Sequence, residues 1–132
     1  MTKKETYKFL RKLCKSYRVK VGFNTFKKEY DGECSINGKK IFINKKITKK
    51  RLAETVFHEL GHVYCIRHGI FKEFHKSYSY PPELTFEAEN WVEWWAKKNW
   101  DASGMRKLFG QYEFYYSKKD KSKVIKWIKE NY

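Results

Sequence analysis

Residues 48–69 read TKKRLAETVFHELGHVYCIRHG, and the way that stretch folds decides the reading of the whole chain. Leu52, Val56, Leu60 and Val63 recur at three or four residues, the period of a helix with one apolar face. Thr48 stands where an N-cap belongs, and Gly69 where a C′ glycine stops a helix. A helix over this span carries His58 and His62 at i and i+4 on one face, where both imidazoles reach a single zinc ion. Glu59, beside the first histidine, then faces the metal's open position. There it is placed to take a proton from a zinc-bound water, whose pKa the metal lowers to about 7. Away from a metal, the same five residues are two surface histidines flanking a helix-favouring glutamate.

Two histidines leave such a site one protein ligand short, because catalytic zinc takes three plus water. His68 has the spacing of a third histidine in H-E-x-x-H-x-x-G-x-x-H, but Cys65 stands where that pattern needs its glycine. If the helix runs on to His68, its side chain lies about 15 Å along the axis from His58, beyond the metal's reach. Cys65 shares the histidine face and reads as a small buried hydrophobe. A further helix, expected from Pro82 to about Trp100, offers Glu83, Glu87 and Glu89. Its apolar stripe runs through Leu84, Ala88, Trp91, Val92 and Trp95. At about 100° per residue Glu87 lies at the edge of that stripe, while Glu83 and Glu89 fall further round towards solvent. Glu87 is therefore the expected third ligand, with Glu89 and His68 as alternatives.

Outward from these helices the chain reads as one α+β domain over residues 1–132. From Lys3 to Tyr17, residues Tyr7, Leu10, Leu13, Cys14 and Tyr17 form a helical stripe with lysines opposite. Val19, Val21 and Phe23 alternate as in a half-buried strand. Asn37-Gly38 sits between two strand-like runs within Glu33–Asn44, the signature of a hairpin whose two turn residues take positive φ. Ile41–Asn44 is expected as an edge strand able to receive an extended peptide by strand addition. Residues 70–80 are aromatic and irregular, and within them His75, Tyr78 and Tyr80 are candidate donors to a tetrahedral intermediate. A last amphipathic helix is expected from Ser122 to Asn131.

Composition narrows the class. The chain has 132 residues, enough to bury a core without a disulfide scaffold. Aromatics at 19% exclude a disordered polymer, although mean hydropathy is −0.85. No apolar run reaches the roughly 18 residues of a membrane span, and the N-terminus has no apolar signal core. Three widely spaced cysteines, Cys14, Cys34 and Cys65, fit reduced thiols and a cytoplasmic address. Net charge is +15, and residues 1–50 alone carry sixteen basic and four acidic side chains, a net of +12. Such a surface attracts nucleic acid without sequence preference through counterion release. The basic residues are 25 Lys and only five Arg, which suits diffuse attraction better than bidentate phosphate recognition.

The order of strand Ile41–Asn44, HELGH at 58–62, and a downstream helix with Glu87-Ala88-Glu89 resembles the ImmA/IrrE-type metallopeptidases, small gluzincins often carried by bacteria, phages and mobile elements. The likeness covers roughly residues 1–100. It departs at the second motif, where Glu89 replaces an expected Asn or Asp and Trp94-Trp95 replace leucines. The resemblance implies a minimal zincin-like fold with one Zn2+. It also implies a zinc-dependent endopeptidase acting on a protein, such as a DNA-associated regulator. SprT-like proteases share HExxH and the basic character, but the gap between His62 and His68-Gly69 is too short for their later motif. The alternative is a basic nucleic-acid-associated or virion protein with a structural or vestigial zinc site.

Overall fold

The computed structural model of the chain describes residues 1–25, 31–71 and 82–114, without the side chains of 82–87. Along these residues run α1 (Lys3–Ser16), β1 (Lys20–Asn24), β2 (Gly32–Cys34), β3 (Lys40–Asn44), α2 (Lys49–His68), α3 (Pro82–Ala102) and α4 (Met105–Phe109). The class is α+β, with four helices and a small three-stranded sheet among the described residues. The helix expected at Ser122–Asn131 lies outside the described residues, as does nearly all of the 70–80 loop. The short α4 has no counterpart in the sequence reading.

α1 begins in a capping box. Thr2 Oγ1 accepts from the Glu5 N–H, and the Glu5 carboxylate accepts from the Thr2 N–H, both at 3.1 Å. Leu10 and Cys14 are fully buried, and the helix lies against β1 and α2. α2 has the predicted ends, with Thr48 Oγ1 accepting from the Arg51 N–H and Gly69 left-handed at φ 66°. Where α1, the hairpin and α2 meet, the Arg67 guanidinium donates to the carbonyls of Tyr17, Arg18 and Gly38.

The sheet order is β1-β3-β2, with β1 parallel and β2 antiparallel to β3. β3 is therefore the central strand, which corrects the expectation of an edge at Ile41–Asn44. Ile41 and Ile43 are the reason, because both are fully buried and paired on each side, to Val21 and Cys34 and to Phe23 and Gly32. A strand with that much apolar surface is covered best from both flanks. The β2–β3 hairpin is present, but its turn differs from the prediction. Gly38 takes φ 68° while Asn37 does not enter positive φ. Instead the Asn37 side chain accepts from the Lys39 N–H at 3.0 Å and from the Ser35 hydroxyl at 2.7 Å, which stabilises a longer loop.

The core lies where α2 meets the sheet on one side and α3 on the other, around Phe57, Leu60, Ile41, Ile43, Val92 and Trp100. Gly61 sets the distance between α2 and α3. A Cβ there would meet Val92 Cγ1 at 2.9 Å and the rigid Val92 carbonyl oxygen at 3.2 Å. Substituting Gly61→Val should overpack this seam and destabilise the fold by about 3 kcal/mol, read as a lowered urea midpoint at unchanged slope.

Burial also governs the thiols. It pushes Cys14 and Cys65 up to about 12 and Cys34 higher still. At pH 8 roughly a quarter of an unfolded thiol of pKa ~8.5 is ionised, against about one part in ten thousand at pKa ~12. Iodoacetamide at pH 8 should therefore leave Cys14 and Cys65 unmodified in the folded chain and label all three cysteines in urea, as counted by mass spectrometry.

Candidate metal centre

The middle of α2 is buried on nearly every side, including the polar side chains of Glu54, Thr55, His58, Glu59 and His62. A buried polar group needs a partner, and for the two histidines α3 supplies it. His58 Nε2 stands 3.0 Å from Glu89 Oε2, and His62 Nε2 stands 3.2 Å from Glu89 Oε1. The two imidazoles meet edge to face, with ring centroids 5.0 Å apart. One donor atom from each of His58, His62 and Glu89 lies within 4.8 Å of the others.

Glu89 is thus the carboxylate brought to the histidines, and its expected position towards solvent is corrected. The face of α3 that meets α2 runs through Glu89, Val92, Glu93 and Ala96, at i, i+3, i+4 and i+7. Trp91 and Trp95 flank that seam, with Trp95 5.7 Å and Trp91 5.8 Å from the Tyr64 ring. Indoles reach sideways, so a stripe drawn through their Cα positions is displaced from the true line of contact. The side chain of Glu87, the expected third ligand, is outside the described residues. His68 takes no part in the cluster. It ends α2 exposed to solvent and stacks on Tyr64 at 4.1 Å. His75, Tyr78 and Tyr80 lie outside the described residues.

Behind His58 stands a pair that the sequence reading missed. Its Nδ1–H donates to Glu93 Oε1 at 3.1 Å, and the Tyr112 hydroxyl donates to Glu93 Oε2 at 2.6 Å. Glu93 is fully buried and Tyr112 nearly so. Fixing the proton on Nδ1 leaves Nε2, the nitrogen that faces Glu89, as the atom that could ligate a metal. The signal was present as Glu89-x-x-x-Glu93, two carboxylates on one helical face a turn apart.

Electrostatics within the cluster is mutual. Burial disfavours charge on His58, but Glu89 and Glu93 outweigh it and hold the imidazole well above its ordinary pKa. Burial likewise opposes charge on Glu89, and His62 and His58 outweigh it, so this carboxyl lies well below the usual range. Glu59 goes the other way. Burial raises it, the two histidines only partly compensate, and the charges of Glu89 and Glu33 add to the rise.

Two imidazoles and one carboxylate suit zinc. The 3.0 and 3.2 Å contacts reach the two different oxygens of Glu89, and one donor atom from each residue lies within 4.8 Å of the others, near enough to close on one ion by small side-chain rotations. Comparison with protein families, curated proteins and solved structures finds no match to this chain.

Competition against a chromophoric chelator measures zinc affinity directly. Glu89→Gln should weaken it by roughly a hundredfold or more, Glu93→Gln by roughly 10- to 100-fold, and Glu87→Gln should leave it unchanged. Loss in the Glu87 variant with retention in the Glu89 variant would transfer the ligand role.

Proposed function

We propose that this chain is a zinc-dependent endopeptidase of the ImmA/IrrE type, with a zincin-like fold in which His58, His62 and Glu89 hold one Zn2+. The observation that carries the reading is the convergence of three donor atoms from two helices within 4.8 Å, with the buried Glu59 beside the first of them in sequence. Structural zinc fills four positions with Cys and His, whereas two imidazoles and a carboxylate are a catalytic set. Among the described residues no cysteine joins the cluster.

Zinc bound there supplies a Lewis acid and lowers the pKa of a coordinated water to about 7. The remaining work belongs to the chain's own side chains. Glu59, whose carboxyl burial lifts above the usual carboxylate range, would take the proton as base in the attack and return it as acid to the leaving amine. Glu93 and Tyr112 hold the His58 ring in one orientation and one tautomer.

An extended substrate strand pairs only with a sheet edge, and β2 is the edge beside α2. Gly32 lies so close to α2 that a Cβ would meet Thr55 Cγ2 at 2.7 Å. Further along β2, Glu33 and Cys34 are near enough to exchange electrostatic influence with Glu59. A peptide laid along β2 would therefore run past the proton-transfer group. A DNA-associated regulator as substrate and a cytoplasmic setting complete the reading. Three free cysteines agree with that setting. The alternative, a nucleic-acid-associated or virion protein with a structural zinc, draws on the basic surface but leaves Glu59 without a task.

The decisive substitution is Glu59→Gln. It should retain zinc at wild-type affinity while cleavage of a protein substrate, followed as new N-termini in a host-cell lysate, disappears. Cleavage by the Gln variant at the wild-type rate would end the proposed mechanism.

A further inference from the structure

The outer surface of α1 carries charge that the candidate metal centre does not use. Taking the buried Leu10 and Cys14 as one side of the helix, Lys4, Lys8, Arg11, Lys12 and Lys15 fall within about 100° of arc on the other. All five are exposed, and the row extends about 16 Å along the axis. Among the described residues none of the four lysines pairs with a carboxylate, and Arg11 lies over the Phe23 ring, 5.2 Å from its centroid.

A second basic segment is fastened alongside. The Tyr7 hydroxyl donates to the Lys45 carbonyl at 3.3 Å, and Lys49 Nζ donates to the Met1 carbonyl at 2.7 Å. These contacts set the exposed Lys45 and Lys46 beside the first turns of α1. The counterbalance is slight. Of the acids described in the first fifty residues, Glu5 is engaged in the capping box, Asp31 is paired with Arg51 at 2.8 Å, and Glu33 lies on β2.

From this we infer that the outer face of α1, joined by Lys45 and Lys46, is a docking surface for the phosphate backbone of nucleic acid, separate from the metal centre. The chemistry selects this partner in two ways. Lysine ammonium groups act as point charges that neutralise phosphates without reading bases. Stable anchoring to a membrane takes an apolar face or a lipid chain beside the charges, and the apolar face of α1 is spent on β1 and α2. The inference stands whether or not the metal centre hydrolyses peptides, because it uses none of that centre's residues.

Fluorescence anisotropy of the full chain on a labelled DNA duplex of arbitrary sequence provides the test. Between 50 and 200 mM salt, log affinity should fall linearly with log salt at a slope of about −4.5 to −6.3, as for five to seven neutralised phosphates. Lys8→Glu with Lys12→Glu should cut affinity at least about tenfold and reduce the slope by about 2. Arg106→Glu with Lys107→Glu, an equal charge change on the exposed residues of α4, should leave affinity within about twofold. If the reversal pair fails to fold, Lys8→Gln with Lys12→Gln should give the same reduction in slope. A flat salt response, equal losses in the two pairs, or tighter binding to phosphatidylserine-rich vesicles than to DNA would each overturn the inference.

Discussion

Burying ionisable side chains between two helices is costly, and the α2–α3 seam buries four almost completely, with Glu89 half-covered beside them. Each charged group there is tolerated only through its neighbours. His58 lies between Glu89 and Glu93, Glu89 between the two histidines, and Glu93 between His58 and Tyr112. Remove one partner and the others are left as uncompensated charge in a low-dielectric interior. The rest of the fold serves that constraint. Gly61 lets α3 come close, Val92 and Ala96 seal the seam, and the sheet closes the opposite side of α2.

This dependence explains what could be read from the chain alone. α2 was legible to its ends because Thr48 and Gly69 are local signals that act through neighbouring backbone groups. The stripe of α1 and the alternation of Ile41 and Ile43 were legible for the same reason, since period reports one element's own exposure. Relations between elements were not. Nothing in Val21 or Phe23 announces that β1 runs parallel to β3, so the central strand was taken for an edge. The candidate metal cluster divides along the same line. His58, Glu59 and His62 follow from spacing on one helix, whereas the carboxylate they meet depends on how α3 is rotated against α2. Bulky indoles beside the seam turned the expected face of α3 away from Glu89, which the structure sets against the histidines. Tyr112 is nineteen residues beyond its partner Glu93, in a segment with no periodicity to mark it.

The charge of the molecule is as unevenly distributed as its chemistry. The buried carboxylates gather at the α2–α3 seam, while α1 and the turn before α2 present almost unrelieved lysine. On the proposed reading, a peptidase active on nucleic-acid-bound proteins gains encounter frequency from one surface and selectivity from another. The two surfaces answer to different physics. Phosphate attraction fades with ionic strength, while a buried ligand cluster is largely shielded from it.

The Tyr112 hydroxyl closes a chain of contacts from His58 through Glu93 to the stretch that follows α4. Tyr112 occupies Oε2 of Glu93 and so keeps Oε1 aimed at the Nδ1–H of His58, which on the proposed reading presents Nε2 to the cation. On that reading, whatever detaches Tyr112 frees the ring and loosens the ion, and by thermodynamic reciprocity the ion favours the seated tyrosine. Residues 110–114 thereby become a latch whose seating and the centre's occupancy rise and fall together.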